Sequence, residues 1–161
     1  MITLKTFERT PSLAELKVSY KRGRHKDDRQ QKMPWVLSSP VSCEQYLRTL
    51  WDKDTFELRE EFVLVCLNSS LEVLGWVRLH TGGIDASPVD PRLVFAVSLQ
   101  TASSAIIVAH NHPSGNPEPS RNDELVTTRL AEGAKLLGIR LLDHVILGRE
   151  GWYSFANAGK L

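Results

Sequence analysis

The sequence predicts an α/β architecture, a mixed β-sheet flanked by helices. Short apolar runs rich in β-branched residues, such as Phe62 to Leu67 and Ala105 to Ala109, alternate with segments whose apolar residues recur at helical period. Helix punctuation separates them, with Asp90-Pro91 at one start and Gly138 at one stop. No internal repeat or long low-complexity tract interrupts the pattern.

In chain order, residues 16–20 alternate like an edge strand. Residues 21–32 follow with six basic and two acidic side chains, which leaves the rest of a chain of net charge +1 at −3. Residues 33–40 read as a connecting segment. A helix is expected over 41–51, with Ser42 and Gln45 as a capping box and Tyr46, Leu47, Leu50 and Trp51 on its apolar face. Strands are expected at 61–67 and 72–80. Asp90 caps a second helix, Pro91 takes its first position, and Leu93, Val94 and Val97 face inward. A strand at 104–110 precedes a third helix from Arg121 to Leu137 that stops at Gly138. Strands at 140–147 and 152–155, joined by Gly148 to Gly151, complete the sheet. The organisation is therefore an N-terminal extension over 1–40 and a domain over 41–161.

With 161 residues and 42% apolar content, the chain is long enough for one ordinary hydrophobic core. Its near-neutral charge argues against a globally electrostatic nucleic-acid binder. Cys43 and Cys66 are isolated and read as small core residues of a reduced cytoplasmic protein. Neither an apolar signal segment nor a run of transmembrane length is visible, so no membrane role is expected.

The chemistry concentrates in fourteen residues, His110 to Asp123. In an extended segment, residues two apart share a side, so His110 and His112 project together. Pro113 disfavours helical geometry at His112. Gly115, Asn116, Pro117 and Pro119 then allow the chain to reverse, which brings Asp123 into the first turn of a helix. Catalytic zinc is commonly held by three protein ligands with one position open. His110, His112 and Asp123 supply such a set. A blander reading competes, since Ser120 and Asp123 also form a helix capping box. Capping leaves the histidine pair at the end of an apolar strand unexplained.

His110-Asn111-His112-Pro113-Ser114-Gly115, with Ser120 and Asp123 behind it, resembles the JAMM (JAB/MPN) metalloprotease motif, and the stretch as a whole is similar to the RadC family. The similarity runs from about Val41 to Phe155. It includes Arg59-Glu60-Glu61-Phe62, the segment from Ser87 to Pro91, Leu136 to Ile139, and Leu142 to Ile146. The resemblance implies a JAB/MPN fold of cytidine-deaminase-like architecture and a glutamate on an earlier strand that activates metal-bound water. Alignment on Arg59 and Phe62 points to Glu60. Period-two geometry puts Glu60 and Glu61 on opposite faces, so only one can serve; taken alone, the pair would read as solvated charges at a strand entry. The resemblance further implies Zn2+ as cofactor, Glu60 as general base and then general acid, and Ser120 as a hydrogen-bond donor to the oxyanion. The expected reaction is hydrolysis of a peptide or isopeptide bond in a protein or peptide substrate, conjugates included. Neither the substrate nor the oligomeric state is named by the residues.

Several other readings fall short. The contiguous letters His110-Asn111-His112 do not make an HNH nuclease, whose residues spread over a ββα-metal unit. A zinc nucleobase deaminase needs His-x-Glu and Pro-Cys-x-x-Cys, and both are missing. Nucleic-acid binding, suggested by the DNA-repair label of RadC proteins, rests on the basic 21–32 run. Residues 1–40 show nothing like the helix–hairpin–helix-type region that most RadC-like chains carry ahead of this domain. A non-catalytic interaction module is the third class, and retention of every motif position counts against it. Of the remaining histidines, His144 reads as a core residue or a support for a ligand, His80 as a strand end, and His25 as part of the basic loop.

Overall fold

The computed structural model of the chain describes residues 3–5, 15–17, 35–82 and 89–161. The chain divides into two compact units, Met1–Met33 and Pro34–Leu161. In the first, strands β1 (Thr3–Lys5) and β2 (Glu15–Lys17) pair antiparallel. The expected strand at 16–20 overlaps β2 only at Leu16 and Lys17; residues 18–20 and the basic run 21–32 lie outside the described residues.

The second unit is a five-stranded mixed sheet in the order β4-β3-β5-β6-β7. Its strands are β3 (Glu61–Leu67), β4 (Val73–Thr81), β5 (Ala105–Asn111), β6 (Arg140–Leu147) and β7 (Trp152–Ser154). Every neighbouring pair is antiparallel except β5 and β6. Those two are parallel and are joined by helix α3 (Arg121–Leu136), because parallel neighbours need a crossover connection. All seven residues of β3 and of β5 are buried. That explains why both read as unbroken apolar runs rather than alternating ones: the sheet is covered on both faces.

One face carries helix α1 (Pro40–Arg48). Cys43, Tyr46 and Leu47 pack there with Trp51 over Val63, Val65, Ile107 and Val145. The other face carries α3, whose Val126, Leu130 and Ala134 cover Phe62, Leu64, Ile106 and Val108 together with Val94 of helix α2 (Pro91–Gln100). Both cysteines are free and buried, Cys43 in the first layer and Cys66 in the second. Burial pushes the Cys43 thiol up to about 11, so it stays protonated.

Four details differ from the sequence reading. Helix α1 is capped by Ser39, not Ser42; Ser42 sits at the third helical position and reciprocates, with Pro40 in the first turn. The helix also ends at Arg48, and Trp51 reaches the core from the turn that follows. Leu93 is 51% exposed, while Val94 beside it is fully buried. The helix is short enough that one turn decides which residues face the sheet. Part of the expected connecting segment belongs to the second unit, with Leu37 buried and Val36 bridged to Glu72. Asp90 with Pro91, and Gly138 after the Leu137 cap, bound α2 and α3 as expected.

Candidate metal centre

The carboxyl end of β5 and the amino end of α3 meet at one corner of the sheet, the usual place for ligands in α/β folds. The strand alternation places His110 on the α3 face, where its ring stacks on that of Phe62 at 6.0 Å. His112 continues the ladder one residue past β5, its N–H donating to the Leu147 carbonyl at 2.9 Å. The turn after it needs two glycines. Gly115 has φ +82°, and a Cβ at Gly148 would lie 2.3 Å from the Gly115 carbonyl oxygen. The loop therefore folds directly against the β6–β7 turn and returns the chain to α3.

Asp123 is the third residue of α3, and the capping box fixes it. Ser120 N–H and Oγ both donate to Asp123 Oδ2, at 2.7 and 2.6 Å, while Asp123 N–H donates to Ser120 Oγ. The other carboxylate oxygen, Oδ1, lies 3.1 Å from His110 Nε2, and Oδ2 lies 3.7 Å from His112 Nε2. The two imidazole Nε2 atoms are 3.0 Å apart. His112 Nδ1 donates to the Asn116 carbonyl at 2.8 Å, so its Nε2 carries the lone pair and faces the cluster. Ligand atoms of His110, His112 and Asp123 lie within 4.8 Å of one another, close enough for one metal ion. Capping thus engages Oδ2 and leaves Oδ1 turned toward His110.

The fit to a cation is electrostatic as well as geometric. Two nitrogens and a carboxylate converge where only a cation, proton or metal can relieve their mutual repulsion. Burial works against charge on His112, but Asp123, the Asn116 carbonyl and the nearby charge of Glu60 outweigh it and raise its proton affinity. Burial likewise opposes ionisation of Asp123, yet the facing imidazoles of His110 and His112, with the Ser120 hydroxyl, hold its carboxyl far below the usual carboxylate range. The partial positive charge at the amino end of α3 also favours the ionised form of the Asp123 carboxyl. A nitrogen- and oxygen-rich set with no thiolate, partly open to solvent through His112, suits zinc with one position free.

The two adjacent glutamates separate as strand geometry requires. Glu61 is 1% exposed and ion-paired to Arg59 at 3.0 Å and to Arg78 at 2.9 Å. Glu60 is half-buried, and its charge is felt at His112. His80, the last residue but one of β4, lies opposite Phe62. Its Nε2 is buried without a hydrogen-bond partner among the described residues. His25 lies outside them.

Asn111 is the residue that sequence reasoning passed over. It is fully buried between the two histidines and points to the opposite face of the sheet. Its Oδ1 accepts from Trp51 Nε1 at 2.9 Å and from Glu61 N–H at 2.8 Å. Its Nδ2 donates to the carbonyls of Phe56 at 2.6 Å and Arg59 at 2.9 Å. All four bonds of the amide are made, and they tie the 56–61 segment, with Glu60 on it, to the metal strand. The only signal in the sequence was a polar residue inside an apolar strand. On that side a cleft of about 260 Å³ opens between Arg48, Trp51, Phe56 and Arg149; none of the three candidate ligands lines it.

Comparison with known proteins places this arrangement in context. Residues 37–160 match the RadC-like JAB domain family. Similar proteins include a UPF0758 protein of Thermotoga maritima, 36% identical over 91% of this chain and 64% of its own length. A UPF0758 protein of Rubrobacter xylanophilus is 42% identical over 78% of the chain and 54% of its length. One from Methanosarcina barkeri is 40% identical over 68% and 48%. The chain thus spans less than two thirds of each of these relatives. Among the described residues no helix is long and apolar enough to cross a membrane. The match extends over the five-stranded sheet, the helices, and the strand, loop and helix that carry the three candidate ligands: the chain belongs to the RadC-like JAB domain family.

Proposed function

We propose that the chain is a zinc-dependent hydrolase of peptide or isopeptide bonds. The observation that carries this reading is the convergence of His110, His112 and Asp123 at the end of β5, beside a half-buried glutamate. Zinc held there would polarise the scissile carbonyl and supply a nucleophilic water near neutral pH. Glu60 takes the proton of the attacking water and returns it to the leaving amine. Two features support Glu60 over Glu61: its charge beside His112, and the engagement of Glu61 by two arginines on the other face. Ser120 holds Asp123 Oδ2 in the resting site; with substrate bound its hydroxyl turns to the oxyanion of the tetrahedral intermediate. The substrate is a protein or peptide, conjugates included.

The test compares wild-type and Glu60→Gln chains, both loaded with zinc, on a library of linear and isopeptide-linked peptides read by mass spectrometry. The expected result is equal zinc content, cleavage by the wild type, and a loss of at least about 100-fold in the variant, the scale of general acid–base catalysis. Full activity of Glu60→Gln on a substrate that the wild type cleaves would remove Glu60 from the mechanism.

A further inference from the structure

Behind the metal ligands lies a buried chain of hydrogen bonds that neither capping nor core packing requires. His144 of β6 is fully buried and stacks on Phe155 at 5.0 Å with an interplanar angle of 9°. Its Nε2 is 2.9 Å from His110 Nδ1, and its Nδ1 is 2.6 Å from Thr127 Oγ1. Thr127 is itself buried, and its hydroxyl donates to the Asp123 carbonyl at 2.6 Å, the residue one turn earlier on α3.

Only one assignment of protons satisfies this chain. A carbonyl accepts and cannot donate, so the single hydroxyl proton of Thr127 is committed to Asp123 O. The hydroxyl oxygen must then accept from His144 Nδ1–H. A second proton on His144 would bury a charge with no carboxylate among its ring partners, so its Nε2 bears the lone pair. That lone pair accepts from His110 Nδ1–H. The ring nitrogen left to His110 for a metal is Nε2, the atom 3.1 Å from Asp123 Oδ1.

We propose that Thr127 and His144 are positioning residues that lock His110 in the Nδ1–H form, aiming the Nε2 lone pair into the metal site. The inference rests on the metal-centre reading above. Outer partners of this kind raise the basicity of a ligating imidazole and fix its orientation, and their loss costs about 10–100-fold in metal affinity. Thr127 also closes a circuit, because it binds the backbone of the residue whose carboxylate is the third ligand. The helix and strand that carry Asp123 and His110 are thereby held in one register through His144. A buried histidine that served packing alone would need its ring volume and its stacking on Phe155, but no defined proton.

The test measures zinc affinity by chelator competition and ring-nitrogen protonation by long-range 1H–15N NMR. It uses the whole chain as wild type, Thr127→Val, Thr127→Ser, His144→Phe and His144→Gln. Thr127→Val keeps the volume and loses the hydroxyl; it is expected to bind zinc about 10-fold more weakly, with Thr127→Ser close to wild type. His144→Phe is expected to lose about 10–100-fold, and His144→Gln, whose amide oxygen can accept from His110 Nδ1–H, to recover part of it. The NMR spectra should show Nδ1 of His110 and of His144 protonated in the wild type, and that pattern lost in Thr127→Val. Wild-type uptake of zinc with Thr127→Val and His144→Phe binding equally well overturns the relay alone. So does an unprotonated His110 Nδ1 in the wild type, with or without metal. A wild-type chain that takes up no zinc overturns the metal reading, and the purpose assigned to the relay falls with it.

Discussion

At the carboxyl end of β5 both faces of the sheet carry buried or half-buried polar groups, and they are finished in opposite ways. On the α1 face the polar groups are engaged by partners of opposite character. Asn111 makes four hydrogen bonds, and Glu61 sits between Arg59 and Arg78. On the α3 face the count is left open, with Nε2 of His110, Nε2 of His112 and a carboxylate turned toward one point. Buried polar groups are costly unless partnered. A face that leaves such groups converging is therefore built to receive something, while the matched face holds its frame. One strand delivers both by alternation, with His110 to one side and Asn111 to the other.

Breaking the open face should cost metal binding most, in a chain that still folds. His110→Ala or Asp123→Ala is expected to lower zinc affinity more than about 100-fold, since loss of a supporting partner alone costs about 10–100-fold. Chelator competition reads the affinity, and thermal melting of the metal-free chain should show the fold retained. Breaking the matched face should do the reverse. Asn111→Ala leaves Trp51 Nε1, Glu61 N–H and the carbonyls of Phe56 and Arg59 without partners. A destabilisation of about 3–5 kcal/mol is expected in urea unfolding, with zinc affinity of the folded chain within a few-fold of wild type. A metal-free Asn111→Ala chain as stable as the wild type would contradict the contrast.

Gly148→Ala tests the seam between the faces. Its Cβ would meet the Gly115 carbonyl oxygen at 2.3 Å, so the loop must move. About 1–3 kcal/mol of stability should go, the usual scale of overpacking, and a several-fold weaker zinc affinity should accompany it. Acidity sharpens the comparison further. His112 holds its proton above the ordinary imidazole value of 6.5, and zinc must displace it. Zinc affinity is expected to fall as pH drops through that raised value, by about tenfold per pH unit for each proton displaced. In the metal-free chain the sign reverses. Protonated His112 paired with Asp123 supports the fold fully below the unfolded imidazole pKa, and that support is lost as pH rises through the folded one. The smallest effect is expected from Ser120→Ala, about 1 kcal/mol from a lost helix cap, seen as a small shift in the urea midpoint.

What the sequence made legible follows from how far apart the partners lie. The histidine pair, the reversing loop and the capped Asp123 sit within fourteen residues, and local rules of alternation and capping suffice to assemble them. The continuous apolar runs of β3 and β5 announced a sheet covered on both sides. Asn111 was illegible because its partners lie 50 to 60 residues earlier in the chain. His144 stood in the sequence as a core or supporting residue, but its partners are 34 and 17 residues away, and only the parallel pairing of β5 with β6 brings them together. The cap of α1 was misplaced by three residues, since Ser39 and Ser42 both suit the role and Pro40 decides between them.

The central claim is that the open face holds a metal. The most direct measurement is the metal content of purified protein by mass spectrometry, with a His110→Ala/His112→Ala variant beside the wild type. The account predicts close to one zinc per wild-type chain and none in the variant. Equal metal in both, or none in the wild type after zinc supplementation, would contradict it.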